Sequence, residues 1–167
     1  MVTYHLAMTA GKPASESRVE VTHLVMPGDA NVFGTAFGGM VMQWTDLAAS
    51  MAAMRHARLP VVTASIDGLS FLAPVRIGHM AILVAQVNAV FATSMEVGVE
   101  VLTEDPATGV RSRCCDAHLT FVALDPEGRP TAVPPLIVES EEERRRERDA
   151  RTRRDAGLAL RAALRGG

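Results

Sequence analysis

From Gly38 to Arg58 the chain sets Met40, Trp44, Leu47, Met51 and Met54 at helical spacing on a background of alanine and methionine. Over these roughly six turns the single acidic residue is Asp46, and no basic residue appears before Arg55. Arg55, His56 and Arg58 come in the last turn, where cations suit the negative end of the helix dipole. A helix so apolar around its circumference cannot keep one side in water, so the rest of the chain is expected to wrap it on several sides.

The wrapping elements read as strands. Arg18 to Met26 alternates apolar with polar residues and ends at the Pro27-Gly28-Asp29 turn. After Pro60, Val61–Asp67 and Leu69–Leu72 form one extended element, bulged at Gly68 and closed by Pro74. Met80–Phe91, Ser94–Glu104 and Arg111–Leu124 follow, separated by turns at Phe91-Ala92-Thr93 and Asp105–Gly109. Consecutive strands joined by turns imply an antiparallel sheet, and the class is α+β with the helix packed on one sheet face. Residues 1–17, small and polar, read as a loose leader to a domain spanning 18–136. Residues 137–167 read as a charged helical tail with mixed i,i+4 pairs. A solvated, fraying helix is the expectation for that tail; its arginines (Arg144–Arg146, Arg148, Arg151, Arg153, Arg154) would otherwise suit a phosphate-bearing ligand.

The 167 residues suffice for one hydrophobic core, and a formal charge of −2 gives no whole-chain reason to bind nucleic acid. No apolar run reaches the roughly 20 residues of a membrane span, and Met1–Lys12 lacks the pattern of a secretory signal. The two cysteines, Cys114 and Cys115, are adjacent and on a strand point to opposite faces, so neither a disulfide nor a metal pair is expected. This usage suits a reducing cytoplasm. His5, His23, His56, His79 and His118 show no metal-ligand spacing, and neither a nucleophile elbow nor a glycine-rich phosphate loop is present.

The chemistry concentrates between Asp29 and Asp46. Gly38-Gly39 opens the helix, where free backbone N–H groups and the helix dipole favour a polarised carbonyl. Two turns on, Asp46 must be exposed, hydrogen-bonded or shifted in pKa. A carbonyl-polarising terminus with a carboxylate nearby suits acyl transfer. Each residue also has a plainer reading. Asp46 serves equally as a rim residue or local bond partner, the glycines as relief of crowding, and Asn31 as a turn residue bonding its own backbone.

The motif order resembles that of the hotdog-fold acyl-CoA thioesterases, the brain-type cytosolic hydrolases and their short bacterial relatives. The resemblance rests on Met26–Gly39, Trp44-Thr45-Asp46, Arg55-His56-Ala57, Val62–Asp67, Phe71–Gly78, Thr93–Val97 and Thr120–Ala123, in order over residues 19–136. It implies a hotdog fold, a long helix wrapped by a five-stranded antiparallel sheet, that pairs into homodimers with active sites at the interface, assembled further as a hexamer, a trimer of dimers. It implies that Asn31 and Asp46 are the functional asparagine and aspartate, brought together from different units. Gly39, beside Gly38, would supply the N–H that polarises the thioester carbonyl. Asp46 would act as general base on water or attack directly.

Acyl-CoA is then the substrate, with no cofactor beyond the CoA it carries and no metal. Thr63, Ala64 and Ser65 would line the pantetheine arm, and Thr93 and Ser94 the CoA side. Phe37 and Phe71, with Phe33, Met40 and Trp44, would form the acyl pocket. One departure stands out: relatives carry Gly-Arg where this chain has Phe91-Ala92, which weakens CoA binding or moves the nucleotide contact to Arg55, Arg76 or the tail arginines. The alternatives are a hotdog module that binds acyl-CoA without turnover, and a hydratase or dehydratase, whose Asp/His pair finds no counterpart here.

Overall fold

Alanines set how closely the long helix approaches its sheet. In the computed structural model, which describes residues 10–165, helix α1 spans Gly38–Ala57 and buries Ala48, Ala49, Ala52, Ala53 and Ala57 completely or nearly so, with Val41 and Trp44. Arg58 ends it in a left-handed conformation, φ 55°, its N–H donating 2.8 Å to the Met54 carbonyl.

The strands, in chain order, are β1 (Lys12–Pro13), β2 (Val19–Leu24), β3 (Val61–Phe71), β4 (Met80–Val90), β5 (Ser94–Glu104), β6 (Arg111–Ala123) and β7 (Leu136–Ile137). Five of them form one antiparallel sheet in the order β2-β4-β5-β6-β3. Its inner face carries Leu83, Ala85 and Val87 of β4, Met95, Val97 and Val99 of β5, and Leu119, Phe121 and Ala123 of β6, the two-residue period of a half-covered sheet. Each fully buried large side chain there, such as Leu83 or Phe121, contributes about 1.5–3 kcal/mol on leaving water.

Strand β3 does not pair with its sequence neighbour β4. It closes the far edge against β6, so the connection 72–79 crosses the fold instead of making a hairpin. Two register shifts interrupt this pairing, one at Ala64 and one at Asp67, next to the bulge expected at Gly68. The first of them matters for the site. Thr63 pairs with Phe121 of the inner face, whereas Ser65 pairs with Thr120 of the outer face. Without the extra residue both would share a face.

Two expectations, for the leader and for the tail, need correction. The leader is not loose from residue 12 onward: β1 pairs in parallel with β7, and Ala14–Ser17 forms a short 3-10 helix with Ser17 fully buried. The Ser17 hydroxyl donates to the Ala14 carbonyl at 2.6 Å and accepts the Val87 N–H at 3.0 Å. Residues 1–9 lie outside the described residues. The sheet wraps α1 as expected and leaves Met42, Leu47, Met51 and Met54 36–50% exposed on its outer flank.

The charged tail is helical from Glu141 to Arg165, helix α2, but it is docked instead of solvated. It lies across the outer face of the sheet, against β4. Ser140 and Glu143 form a reciprocal cap, the serine hydroxyl accepting the Glu143 N–H at 3.1 Å and the carboxylate accepting the Ser140 N–H at 3.2 Å. Glu143 also accepts 3.2 Å from the Gln86 amide, and Ala150 is buried. Arg153 grips Glu96, 2% exposed, through two hydrogen bonds of 3.0 and 2.7 Å.

Candidate active site

The segment before α1 is built around Asn31. Its Oδ1 accepts the Phe33 and Thr35 N–H groups at 2.9 and 3.3 Å, and its Nδ2 meets the Thr35 hydroxyl at 3.0 Å. Gly34 takes φ 73° in the same turn, where a side chain would be strained. The Ala36 N–H donates 2.7 Å to the Val75 carbonyl and Thr35 bridges Arg76, which fixes the turn on segment 72–78. The plain turn-forming reading of Asn31 is therefore realised, and one Nδ2 hydrogen is left over for a ligand.

At the helix mouth, the Met40 and Val41 N–H groups both return to the Phe37 carbonyl, at 2.8 and 3.2 Å. No side chain caps the terminus, so the N–H groups of Gly38 and Gly39 face outward without partners among the described residues. The Phe37 ring lies over Gly39 so closely that a Cβ there would sit 2.5 Å from it. Phe71 lies 3.5 Å from where a Gly38 Cβ would be. Two phenyl rings thus flank an approachable pair of amides.

Asp46 is half-buried, and Thr63 Oγ1 donates to its Oδ1 at 2.7 Å. Its Oδ2 accepts from no protein donor among the described residues. Gly39 and Asp46 are seven residues apart, about 10 Å along the axis. Helical N–H groups point out of the N-terminus, so a carbonyl held on Gly39 lies further still from Asp46. No hydrogen bond links Asn31 with Asp46 either. Within one chain the parts divide into Asn31 with the helix mouth and Asp46 with Thr63.

Three of the remaining expected site residues fall on the outer face. Ala64, Ser65 and Ser94 line a cleft of about 310 Å³ between the sheet and α2, together with Arg153, Arg154 and Arg161. Thr93 is not one of its walls; its carbonyl accepts the Ala123 N–H at 3.0 Å. Sequence reasoning missed Asp67 here, which accepts the Ser65 and Thr120 hydroxyls at 2.8 and 2.6 Å. It also missed that Thr63 meets Asp46, because a strand register shift has no signature in a polar alternation.

Burial also shifts titratable groups outside this segment. Burial first, then the neighbouring thiol and Asp116, push the Cys114 thiol up to about 12; burial and Asp116 push Cys115 to about 11. Burial lowers His56, whose Nε2 lies 2.9 Å from the Pro134 carbonyl. Among the described residues no three His, Cys, Asp or Glu side chains converge as a metal site, and no helix is long and apolar enough to cross a membrane.

A family model described as the thioesterase superfamily matches residues 33–110. An acyl-CoA thioester hydrolase of Bacillus subtilis, itself described as uncharacterized, is 44% identical over 128 residues, 77% of this chain and 74% of that protein. The chain belongs to the thioesterase superfamily. Among solved hotdog structures of this superfamily, the acyl-CoA hydrolase of Staphylococcus aureus, determined with butyryl-CoA, CoA and CoA disulfide, superposes with a TM-score of 0.87 at 36% identity, covering 93% of this chain and 94% of that one. Structures of that enzyme also exist with an aspartate, an asparagine or a threonine replaced by alanine. A hexameric acyl-CoA thioesterase superposes with a TM-score of 0.88 at 39% identity, over 93% of this chain and 99% of that one. The chain spans about a third, 35%, of the human cytosolic acyl coenzyme A thioester hydrolase.

Proposed function

We propose that this protein hydrolyses acyl-CoA thioesters to free CoA and a carboxylic acid, in sites shared between two protomers. The observation that carries this reading is the separation of Gly39 and Asp46 on one helix, each with an unused polar group. A second copy would bring Asp46 and Thr63 opposite the helix mouth and Asn31 of the first. The exposed flank of α1 and the long edge strand β3, unpaired on its outer side, provide the surface for such a pairing. The hexameric relative supports assembly beyond that dimer. In the Staphylococcus aureus enzyme, the asparagine, aspartate and threonine replaced by alanine are spaced along the chain as Asn31, Asp46 and Thr63 are here.

In this scheme the thioester oxygen accepts the Gly39 N–H as negative charge builds on it, a contact of the kind worth about 3–4 kcal/mol of barrier. Asp46 takes a proton from water as the hydroxyl adds to the carbonyl carbon, and the CoA thiolate leaves and is protonated. Direct attack by Asp46, giving an anhydride that water opens, balances equally. The Asn31 Nδ2 would orient the carbonyl or the water, and Phe37 and Phe71 would pack on the acyl chain. Neither route draws on a cofactor or a metal, and the cytoplasm, where acyl-CoA is made and used, suits the reaction.

The test follows CoA release from acyl-CoAs of graded chain length. Turnover by wild type, lost by about two to four orders of magnitude in Asp46→Ala, is the expected result. Wild type that binds CoA yet releases none across the panel would make the protein a non-catalytic acyl-CoA-binding module. Unchanged turnover in Asp46→Ala would move the site elsewhere.

A further inference from the structure

Helix α2 has no part in the chemistry above, yet it lays arginines beside the edge strand that carries Thr63. We propose that Arg154 and Arg161 clamp the phosphates of the substrate's nucleotide, so that the tail is a binding element for the end of CoA remote from the thioester. This rests on the thioesterase reading and names the residues that hold the nucleotide.

The Arg154 guanidinium carbon lies over the Phe91 ring, 4.0 Å from its centroid. A cation–π contact of this kind holds the group in place without consuming its N–H donors, which remain for phosphate oxygens. Among the described residues the one acceptor Arg154 meets is the Ser94 hydroxyl, at a long 3.4 Å. Neither Arg154 nor Arg161 has a carboxylate within ion-pair distance among the described residues, whereas Arg153 is bound by Glu96 and Arg151 by Glu147. Helix α2 is therefore anchored by one arginine and presents its neighbour unpaired.

Gly157 lies between the two arginines on the cleft wall. Glycine inside a helix is unfavourable, and here its bare backbone lets the Arg161 guanidinium lie against the helix, 3.6 Å from where a Cβ would stand. Asp67 faces the same cleft, but its carboxylate is engaged by the Ser65 and Thr120 hydroxyls. Of the arginines weighed from sequence, Arg55 is committed elsewhere, its Nη1 donating 2.5 Å to the Arg18 carbonyl.

The bulge at Ala64 connects clamp and chemistry. Thr63, on the inner face, bonds Asp46, and Ser65, on the outer face, lines the arginine cleft. Two residue steps along the strand, through Ala64, separate them by about 7 Å. The residue between them is out of register with β6, so its backbone amide groups are left for an extended pantetheine arm running from one face to the other. In a chain with Phe91-Ala92 at this turn, Phe91 becomes the platform on which an arginine from α2 is delivered.

Calorimetric titration with CoA, and with adenosine 3′,5′-bisphosphate, tests the clamp without requiring turnover. The double variant Arg154→Gln/Arg161→Gln removes both charges while keeping polar side chains of good helix propensity, and far-UV circular dichroism reports whether α2 stays folded. CoA affinity is expected to fall by about tenfold or more, with the kcat/KM ratio of acyl-CoA to acyl-pantetheine falling in parallel. Phe91→Leu, which removes the platform and keeps both charges, is expected to lower affinity by a smaller factor. Inorganic phosphate should compete with CoA on wild type and lose that effect on the double variant. CoA affinity and substrate ratio within twofold of wild type in a folded double variant would overturn the clamp while leaving the thioesterase reading intact. CoA binding that needs both arginines, in a wild type without turnover, would keep the clamp and overturn the thioesterase reading.

Discussion

Thr63 and Asp46, on the edge strand and the central helix, are joined by a 2.7 Å hydrogen bond from the threonine hydroxyl to Oδ1. The bond holds one carboxylate oxygen and so aims the other. Thr63→Val keeps the shape and removes the donor, and kcat is expected to fall about tenfold with KM little changed, since one bond to a charged group is lost. Thr63→Ser should recover most of the rate. Steady-state kinetics on the three proteins check this, and equal loss in the serine variant would show that the hydroxyl is not what matters.

Complementation tests the shared site. Asn31→Ala and Asp46→Ala are each expected to be nearly inactive as pure proteins. Unfolded together and refolded as a mixture, half the dimers combine one of each, and one of their two sites is whole, so about a quarter of wild-type activity should return. A mixture as inactive as its parents would put both residues in the same chain's site.

Stability should respond to the Arg153–Glu96 pair unequally. Arg153→Ala leaves Glu96, 2% exposed, without its cation, and a loss of about 3–5 kcal/mol in denaturant unfolding is expected. Replacing both, as in Arg153→Met/Glu96→Met, should cost far less. Comparable losses in the two variants would mean that packing, not charge, holds α2 in place.

Cys114 and Cys115 give a pH prediction. Both thiols lie above their ordinary value of 9.0, at about 12 and about 11, because burial opposes the thiolate. As pH rises past 9 the unfolded chain releases these protons and the folded one keeps them. Stability is therefore full below pH 9 and declines as pH rises toward 11. Urea midpoints measured across this window should fall more steeply for wild type than for Cys114→Ala/Cys115→Ala. At neutral pH, iodoacetamide should label neither cysteine until the chain is unfolded.

The periodic elements were legible because burial imposes a period. Helix α1 and strands β4, β5 and β6 run within a residue of where the apolar spacing puts them. The pairing partner of β3 was not legible, since an edge strand and a hairpin strand share the same local pattern. Nor was the docking of α2: it is held by a charge pair, an amide, one buried alanine and an arginine over Phe91, which in sequence look like any solvated helix. At the candidate site, Asn31, Gly39 and Asp46 were marked by residue type and position. Thr63 and Ser65 were marked as one strip of backbone, and a single inserted residue sends them to opposite faces.

The inner flank of α1 is closed mainly by alanine, with Val41 and Trp44, and Met42, Leu47, Met51 and Met54 stand on the outer flank. A change at Ala49 or Ala52 would be felt by the whole core, whereas a change at Met42, Leu47 or Met51 meets only what is assembled against the protomer. In the proposed dimer, the residues that keep a protomer folded and those that meet its neighbour are thus separate sets on one helix. A lineage carrying this chain is free to alter the second without endangering the first.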